Sequence, residues 1–209
     1  MATPRKEREK AHARWDILRA AATAFASRGY HGTTIEDVAR EAGYSPSSLY
    51  THFKGKSDIY ESLLRAVAAE FRALQAEPPI ASLAFPERLE WLIRGQLDLV
   101  EKNREFFIVF AAQRGGIEWV AGNDINDLAR TNYLRWVEFM AGLLAKGMEE
   151  GAVRQTDARD LAYFVVGSIN AAVFRWVAGD VRGPLKDQAT PLLSFIRAGI
   201  GMPSTEGGA

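Results

Sequence analysis

Few residues in this chain are equipped for catalysis. There are three histidines, His12, His31 and His52, all in the first quarter, and none pairs with a second ligand as a metal site would require. Cysteine is absent, which removes disulfides, thiolate metal sites and a thiol nucleophile. No glycine loop is arranged to cradle a phosphate, and no nucleophile elbow occurs. Carboxylates are plentiful, but no two can be paired in space from the sequence, and Glu149-Glu150 reads most simply as a solvated helix end. The expectation is a protein that is not an enzyme and takes no metal or cofactor. Hydrogen-bonding chemistry is concentrated elsewhere. Ser47, Ser48, Tyr50, Thr51 and His52 crowd one short segment where an exposed helix ordinarily carries Glu, Lys and Arg. Short hydroxyl side chains let a helix approach base edges, and Tyr and His donate to phosphate oxygens. Lys56 follows as a cation beside the start of another helix, and Thr33 and Thr34 stand at the start of the one before.

Such groups need rigid elements to hold them, and nearly every segment reads at helical period. Ile17, Leu18, Ala21, Ala22 and Phe25 form one stripe, stopped by Gly29. Thr34-Ile-Glu-Asp37 is a helix N-terminus signature, with Ile35, Val38, Ala39 and Ala42 on its inner face and Gly43 at its end. Ser45 caps the third helix, with Pro46 at its first position, and this helix is predicted to run to about Phe53. Two helices joined at a steep angle need a small residue at the crossing, a residue tolerant of left-handed angles in the turn, and an apolar lock on the second helix. Ala39, Gly43 and Leu49 supply these in order, with Phe53 closing the cluster. The spacing predicts a helix-turn-helix, against the plainer alternative of a helical hairpin with a glycine turn.

Gly29-Tyr30-His31-Gly32-Thr33-Thr34-Ile35-Glu36-Asp37-Val38-Ala39, then Ala42-Gly43-Tyr44-Ser45, then Ser48-Leu49-Tyr50-Thr51-His52-Phe53-Lys54-Gly55-Lys56 resembles the N-terminal domain of the tetracycline-repressor (TetR) family. The likeness covers about residues 12–65. It implies an all-α fold of about nine helices, a homodimer on a near-palindromic DNA operator, and a C-terminal domain for a small-molecule effector. In that pattern Tyr50, His52 and Lys56 are phosphate contacts, and Ser47, Ser48 and Thr51 read bases. Thr33, Thr34 and Ser45 complete the DNA-binding set at the helix starts. Two positions depart from the pattern. Pro46 stands where a basic residue is frequent, which removes one phosphate contact, and Ser47 stands where glycine is frequent. Arg5, Lys6 and Arg8 have two readings, a minor-groove arm or a solvated, disordered tail over about residues 1–11.

The 209 residues are 47% hydrophobic and 25% charged, with a formal net charge of zero. Residues 1–60 carry ten Lys/Arg against seven Asp/Glu, an asymmetry too mild to argue for nucleic acid by itself. The first residues, MATPRKEREKAHARW, lack the apolar core of a secretory signal, and no run approaching the roughly 18 apolar residues of a membrane span stands out. A cytoplasmic protein without membrane contact is expected.

The predicted boundaries are 1–56 for the DNA-binding domain and 57–209 for a helical effector-binding and dimerisation domain, with the junction inside the helix that begins at Ser57-Asp58, since no Gly/Ser-rich linker occurs there. Within the latter, helices are expected at Ser57 to Pro78-Pro79, Pro86 to Lys102, Asn103 to Gln113, Asp124 to Glu150, Asp157 to Ala178 and Pro184 to Gly199. Gly115-Gly116 marks a turn, Pro203 onward a frayed tail, and Pro191 a kink or late start. Trp91, Asn103, Phe106, Phe107, Phe110, Gln113, Tyr133 and Trp136 are either aromatic core with neighbouring polar groups or the lining of an apolar effector pocket. The Asp157 helix places Leu161, Phe164, Val165, Ile169 and Ala172 on one side and is apolar nearly all round, so it is buried on more than one side. Either the monomer buries it fully or a subunit interface forms at Tyr163, Val166, Gly167, Asn170 and Phe174 with Leu193, Ile196, Arg197 and Ile200 of the last helix.

Overall fold

The computed structural model describes residues 4–76, 82–113 and 124–201. Its helices are α1 (Pro4–Gly32), α2 (Ile35–Ala42), α3 (Pro46–Tyr50), α4 (Lys56–Ala76), α5 (Phe85–Lys102), α6 (Arg104–Gln113), α7 (Asp124–Glu149), α8 (Ala158–Val177) and α9 (Ala189–Gly199), with a 3-10 turn at Leu185–Gln188. No strand occurs among the described residues, and the all-α expectation holds. The Pro78-Pro79 and Gly115-Gly116 signals and the tail from Pro203 lie outside the described residues, as does the side chain of Gln113.

The chain forms two compact units, divided inside α4 between Ala68 and Ala69. The sequence reading places the junction within this helix, where the division falls, and assigns 57–209 to one domain, whereas α6 groups with the first unit. The reason is packing: α6 lies along α1, and Phe106 of α6 stacks on Tyr60 of α4 at 6.5 Å between ring centres. The first unit's core joins Ile17, Leu18, Ala21 and Phe25 of α1 to Val38, Leu49, Phe53, Ile59 and Tyr60, all buried.

One local expectation for this unit changes and one holds. The segment expected as a disordered arm is helical from Pro4 and continuous with α1, with Arg5 Nε bonded to Glu9 at 2.8 Å, one turn along. The helix breaks at Gly29, which adopts φ 73° and ψ 158°, a conformation open to glycine, before a last turn to Gly32.

In the second unit α4 and α5 run antiparallel. Lys102 pairs with Glu70 at 3.0 Å, while Leu74, one turn further along α4, lies against Gly95. The buried stripe of α5 is Phe85, Arg88, Leu89, Leu92, Ile93, Gln96, Leu97 and Val100, a three-four repeat with two polar members. Phe85 fills the notch at Gly147 of α7, where an added Cβ would stand 2.5 Å from the ring. Pro191 falls in the first turn of α9, which starts late, after the 3-10 turn. There a missing N–H leaves no helical bond unmade. The segment Ala158–Ala178 reaches a mean hydropathy of 1.5, enough by length and composition for a membrane span, contrary to the sequence reading. In this fold its inner face, Leu161, Ala162, Val165, Val166, Ile169 and Val173, is core.

Candidate nucleic-acid interface

Helix α2 is opened by a reciprocal cap. Thr34 Oγ1 accepts from the Asp37 amide at 3.1 Å, and Asp37 Oδ2 accepts from the Thr34 amide at 3.1 Å. Arg28 and Arg40 both donate to the other oxygen of Asp37. The Thr34 amide and hydroxyl, followed by Arg28, hold the Asp37 carboxyl down at about 2. Gly43 closes the helix at φ 73° and ψ 25°, and its N–H reaches back to Ala39 and Arg40. Ser45 Oγ then accepts from the Ser48 amide at 3.2 Å, starting α3 with Pro46 in its first turn. Ala39 and Leu49 are sealed at the crossing, 0% and 1% exposed, so this pair of helices is locked by the three residues that the spacing singled out.

The lock leaves a defined set facing outward. Ser47 is exposed with its hydroxyl 2.9 Å from Ser45 Oγ. Tyr50 is 57% exposed. Thr51 is exposed, its hydroxyl donating to the Ser48 carbonyl at 2.7 Å, and Ser48 is half-buried. Helix α3 ends at Tyr50, earlier than the predicted Phe53, because Thr51 to Phe53 turn towards α4 with the Phe53 ring buried.

Three members of the predicted DNA-binding set have other work. Thr33 is 1% exposed, and its hydroxyl donates to the carbonyls of Gly29 at 2.8 Å and Ala24 at 3.2 Å. It closes the end of α1 and presents no hydroxyl to a nucleic acid. Lys56 Nζ donates to the carbonyls of Tyr30 at 2.8 Å, Thr33 at 2.9 Å and His31 at 3.4 Å. It also lies 4.6 Å from the centre of the Tyr30 ring. These carbonyls form the negative end of α1, so the ammonium caps that helix instead of waiting free for a phosphate. Burial raises the pKa of the Tyr30 hydroxyl, which approaches Ser57 and Glu61. Ser45 spends its oxygen on the α3 cap.

His52 is half-buried with Nδ1 enclosed and without a hydrogen-bond partner. Burial, then Lys10 and Arg14, push its pKa below the usual 6.5. A buried lone pair costs less than a buried unpaired N–H, which favours the neutral tautomer with the hydrogen on Nε2. The sequence reading missed Arg14. Its guanidinium donates to the His52 carbonyl, reaches Ser62 Oγ at 3.5 Å and stacks 4.1 Å over the Phe53 ring. The available signal was its place three residues before Ile17 and four before Leu18, on the buried stripe of α1.

The residues read as an effector pocket divide between the units. Phe106, Phe107 and Phe110 cluster in the first, with Phe106 centred 5.2 Å from Phe107 and 5.7 Å from Phe110. Asn103 belongs with them and is half-buried, its carbonyl accepting from the Phe107 amide at 3.1 Å. Trp91, Tyr133 and Trp136 are in the second. Tyr133 lies 6.4 Å from Tyr163, and Trp136 lies between Phe71 at 5.7 Å and Phe139 at 5.8 Å.

The residues read as an interface also divide. Val166, Leu193, Ile196 and Ile200 are at most 3% exposed and belong to the monomer's core. Arg197 is tied inside the chain to Glu90 at 2.6 Å, and Arg94 and Arg197 hold the Glu90 carboxyl below its usual range. Tyr163, Gly167 and Phe174 do face outward, and Asn170 is half-buried beside them. Phe164, expected inside, is 71% exposed, and Phe195 is 67% exposed. Tyr163, Phe164, Gly167, Ala171 and Phe174 thus form one exposed helical stripe.

Residues 17–63 match the family described as bacterial regulatory proteins, tetR family. The HTH-type transcriptional repressor KstR2 of Mycobacterium tuberculosis is 30% identical over 196 residues, 90% of this chain and 92% of the relative. The crystal structure of FadR from Bacillus subtilis in complex with stearoyl-CoA aligns with a TM-score of 0.76 at 24% identity, over 89% of this chain and 98% of that one. A putative transcriptional regulator from Saccharomonospora viridis, in complex with choline, aligns with a TM-score of 0.76 at 28% identity, over 91% and 98%.

Proposed function

Because this chain belongs to the tetR family of bacterial regulatory proteins, we propose that it is a homodimeric, cytoplasmic repressor released from its operator by a small, largely apolar effector. It acts by binding, not by catalysis. The observation that carries this reading is the outward set of α3 on a helix pair locked by Ala39, Gly43 and Leu49. Ser47, Ser48 and Thr51 read base edges, Tyr50 and His52 donate to phosphates, and Thr34 steadies the start of α2 on the backbone. Thr33, Ser45 and Lys56 support these elements from within. Two copies on a two-fold axis set their α3 helices roughly 34 Å apart, one turn of B-DNA, so the operator is near-palindromic.

The exposed stripe of α8 with Phe195 of α9 is the face that joins the copies. An apolar effector agrees with the stearoyl-CoA held by the FadR structure and with the apolar stripe of α5. An effector that favours one spacing of the two reader heads over the other shifts the population and thereby the operator affinity.

The test is a gel shift with the DNA upstream of the protein's own gene, run over a salt series. Specific binding with a steep salt slope is expected. Tyr50→Phe weakens binding to all sequences alike, and Thr51→Val changes the preference among them. Binding that is absent, or indifferent to salt, overturns the reading in favour of a non-DNA-binding adaptor or an enzyme that keeps the fold.

A further inference from the structure

Among the described residues of the second unit four buried polar atoms lack a hydrogen-bond partner: Nε of Arg88 and of Arg197, whose guanidiniums are ion-paired through another nitrogen, and one atom on each of two neutral side chains, Gln96 and Trp136. Gln96 of α5 is 5% exposed with no hydrogen-bond partner for Oε1, and Trp136 of α7 is 8% exposed with none for Nε1. Trp176 shows what the fold does elsewhere with a buried indole, donating Nε1 to the Gly183 carbonyl at 2.9 Å. Gln96 occupies a position in the α5 stripe where Leu92, Ile93, Leu97 and Val100 are apolar. Packing alone would favour another apolar side chain there, because an unpaired buried amide is costly.

Both groups stand at one level of the bundle. Phe71 and Leu74, one turn apart on α4, touch Trp136 and Gly95, the neighbour of Gln96. The contact of Phe85 with Gly147 fixes α5 against α7. Gln96 lies eleven residues after Phe85, and Trp136 eleven before Gly147. Eleven residues are about three full helical turns. Gln96 therefore shares a face of α5 with Phe85, and Trp136 shares a face of α7 with Gly147.

We propose that Gln96 Oε1 and Trp136 Nε1 are the polar anchors of the effector site and select an apolar molecule bearing a hydroxyl group. This rests on the ligand-released regulator reading above. One hydroxyl donates to Gln96 and accepts from Trp136, satisfying both with a single oxygen. The group is uncharged, because the charges of Arg88 and Arg197 are already compensated, by Glu150 at 2.5 Å and Glu90 at 2.6 Å, although Nε of each guanidinium has no partner. The rings of Phe71 and Phe139 around Trp136 suit an apolar body.

The probes are octanol and phenylethanol, each with its methyl ether, which accepts a hydrogen bond but donates none. Calorimetry on the full chain reads their affinities. The wild type binds each alcohol about tenfold more tightly than its ether; Gln96→Leu abolishes that preference, whereas Trp136→Phe weakens alcohol and ether alike because both oxygens accept from the indole. Equal binding of alcohol and ether, no binding of either alcohol, or a preference retained in Gln96→Leu overturns the proposal. The wild-type comparison alone decides the matter if a variant does not fold. Operator release is measured in parallel. An effector that releases wild type and Gln96→Leu equally overturns the anchors and leaves the repressor standing. A chain that prefers alcohols yet never binds DNA overturns the repressor and leaves the anchors.

Discussion

Lys56 holds three carbonyls of the α1 terminus with one ammonium group. Its removal is a stability experiment before it is a DNA-binding one. Lys56→Met is expected to cost about 1–2 kcal/mol, since the ammonium is only half-buried, measured by urea unfolding. The salt slope of operator binding is expected to stay close to wild type, whereas loss of a phosphate contact would lower it by about one. His52 makes a second prediction. In the folded chain it titrates below its ordinary 6.5, so the unfolded chain takes up a proton that the folded one refuses. Stability therefore falls as pH drops through about 6.5 and levels out below the folded pKa. His52→Gln removes this component, and unfolding midpoints at neutral and mildly acidic pH read it directly. Asp37 works in the more acid range. Its carboxyl stays ionised down to about 2, and the stability it lends α2 is present above its usual 3.8 and lost as pH falls through about 2.

Helices here are positioned by what small residues permit. At Gly43 an added Cβ meets nothing within 4 Å, and the constraint is the left-handed φ of 73° alone. At Gly147 the backbone is unremarkable and the constraint is the Phe85 ring at 2.5 Å. Alanine should therefore destabilise both sites for different reasons. Gly43→Ala is expected to cost about 1–2 kcal/mol and to be partly relieved by Gly43→Asn, which tolerates left-handed angles. Gly147→Ala is expected to cost about 1–3 kcal/mol by overpacking and to be relieved by Phe85→Leu, not by any change of turn residue. Thermal unfolding of the four variants separates the two mechanisms, and rescue of Gly147→Ala by Phe85→Leu is the decisive comparison.

At the scale of the whole molecule, the exposed aromatic stripe of α8 and Phe195 of α9 present more apolar surface than solvent contact favours. Phe164→Glu with Phe195→Glu is expected to convert the proposed dimer to monomers in light scattering and to weaken operator binding at least tenfold, since each half-site is then held alone. Both side chains are largely exposed in the single chain, so the unfolding free energy of the monomer should move by only about 0.5 kcal/mol. A double variant that keeps the wild-type mass would show that the copies meet elsewhere.

The helix-turn-helix was legible from sequence because its determinants are local. A cap, a left-handed turn and a lock at fixed offsets act within twenty residues, and Thr34, Gly43, Ser45 and Leu49 appear in the fold in the roles their spacing assigned. The outward Ser47, Tyr50 and Thr51 were legible for the same reason, since a short amphipathic helix has one inner face. Contacts between distant segments were not. Thr33 turns its hydroxyl into the end of α1, Lys56 reaches back to residues 30–33, and Arg14 spans to His52. α6 packs along α1 across some seventy intervening residues. For α8, apolar nearly all round, periodicity could not say which side faces its own bundle. The fold turned Val166 inward and Phe164 outward. Sequence fixes what each helix can bury; only the neighbouring helices decide which polar atoms find partners, because a hydrogen bond depends on position in space and not on order along the chain.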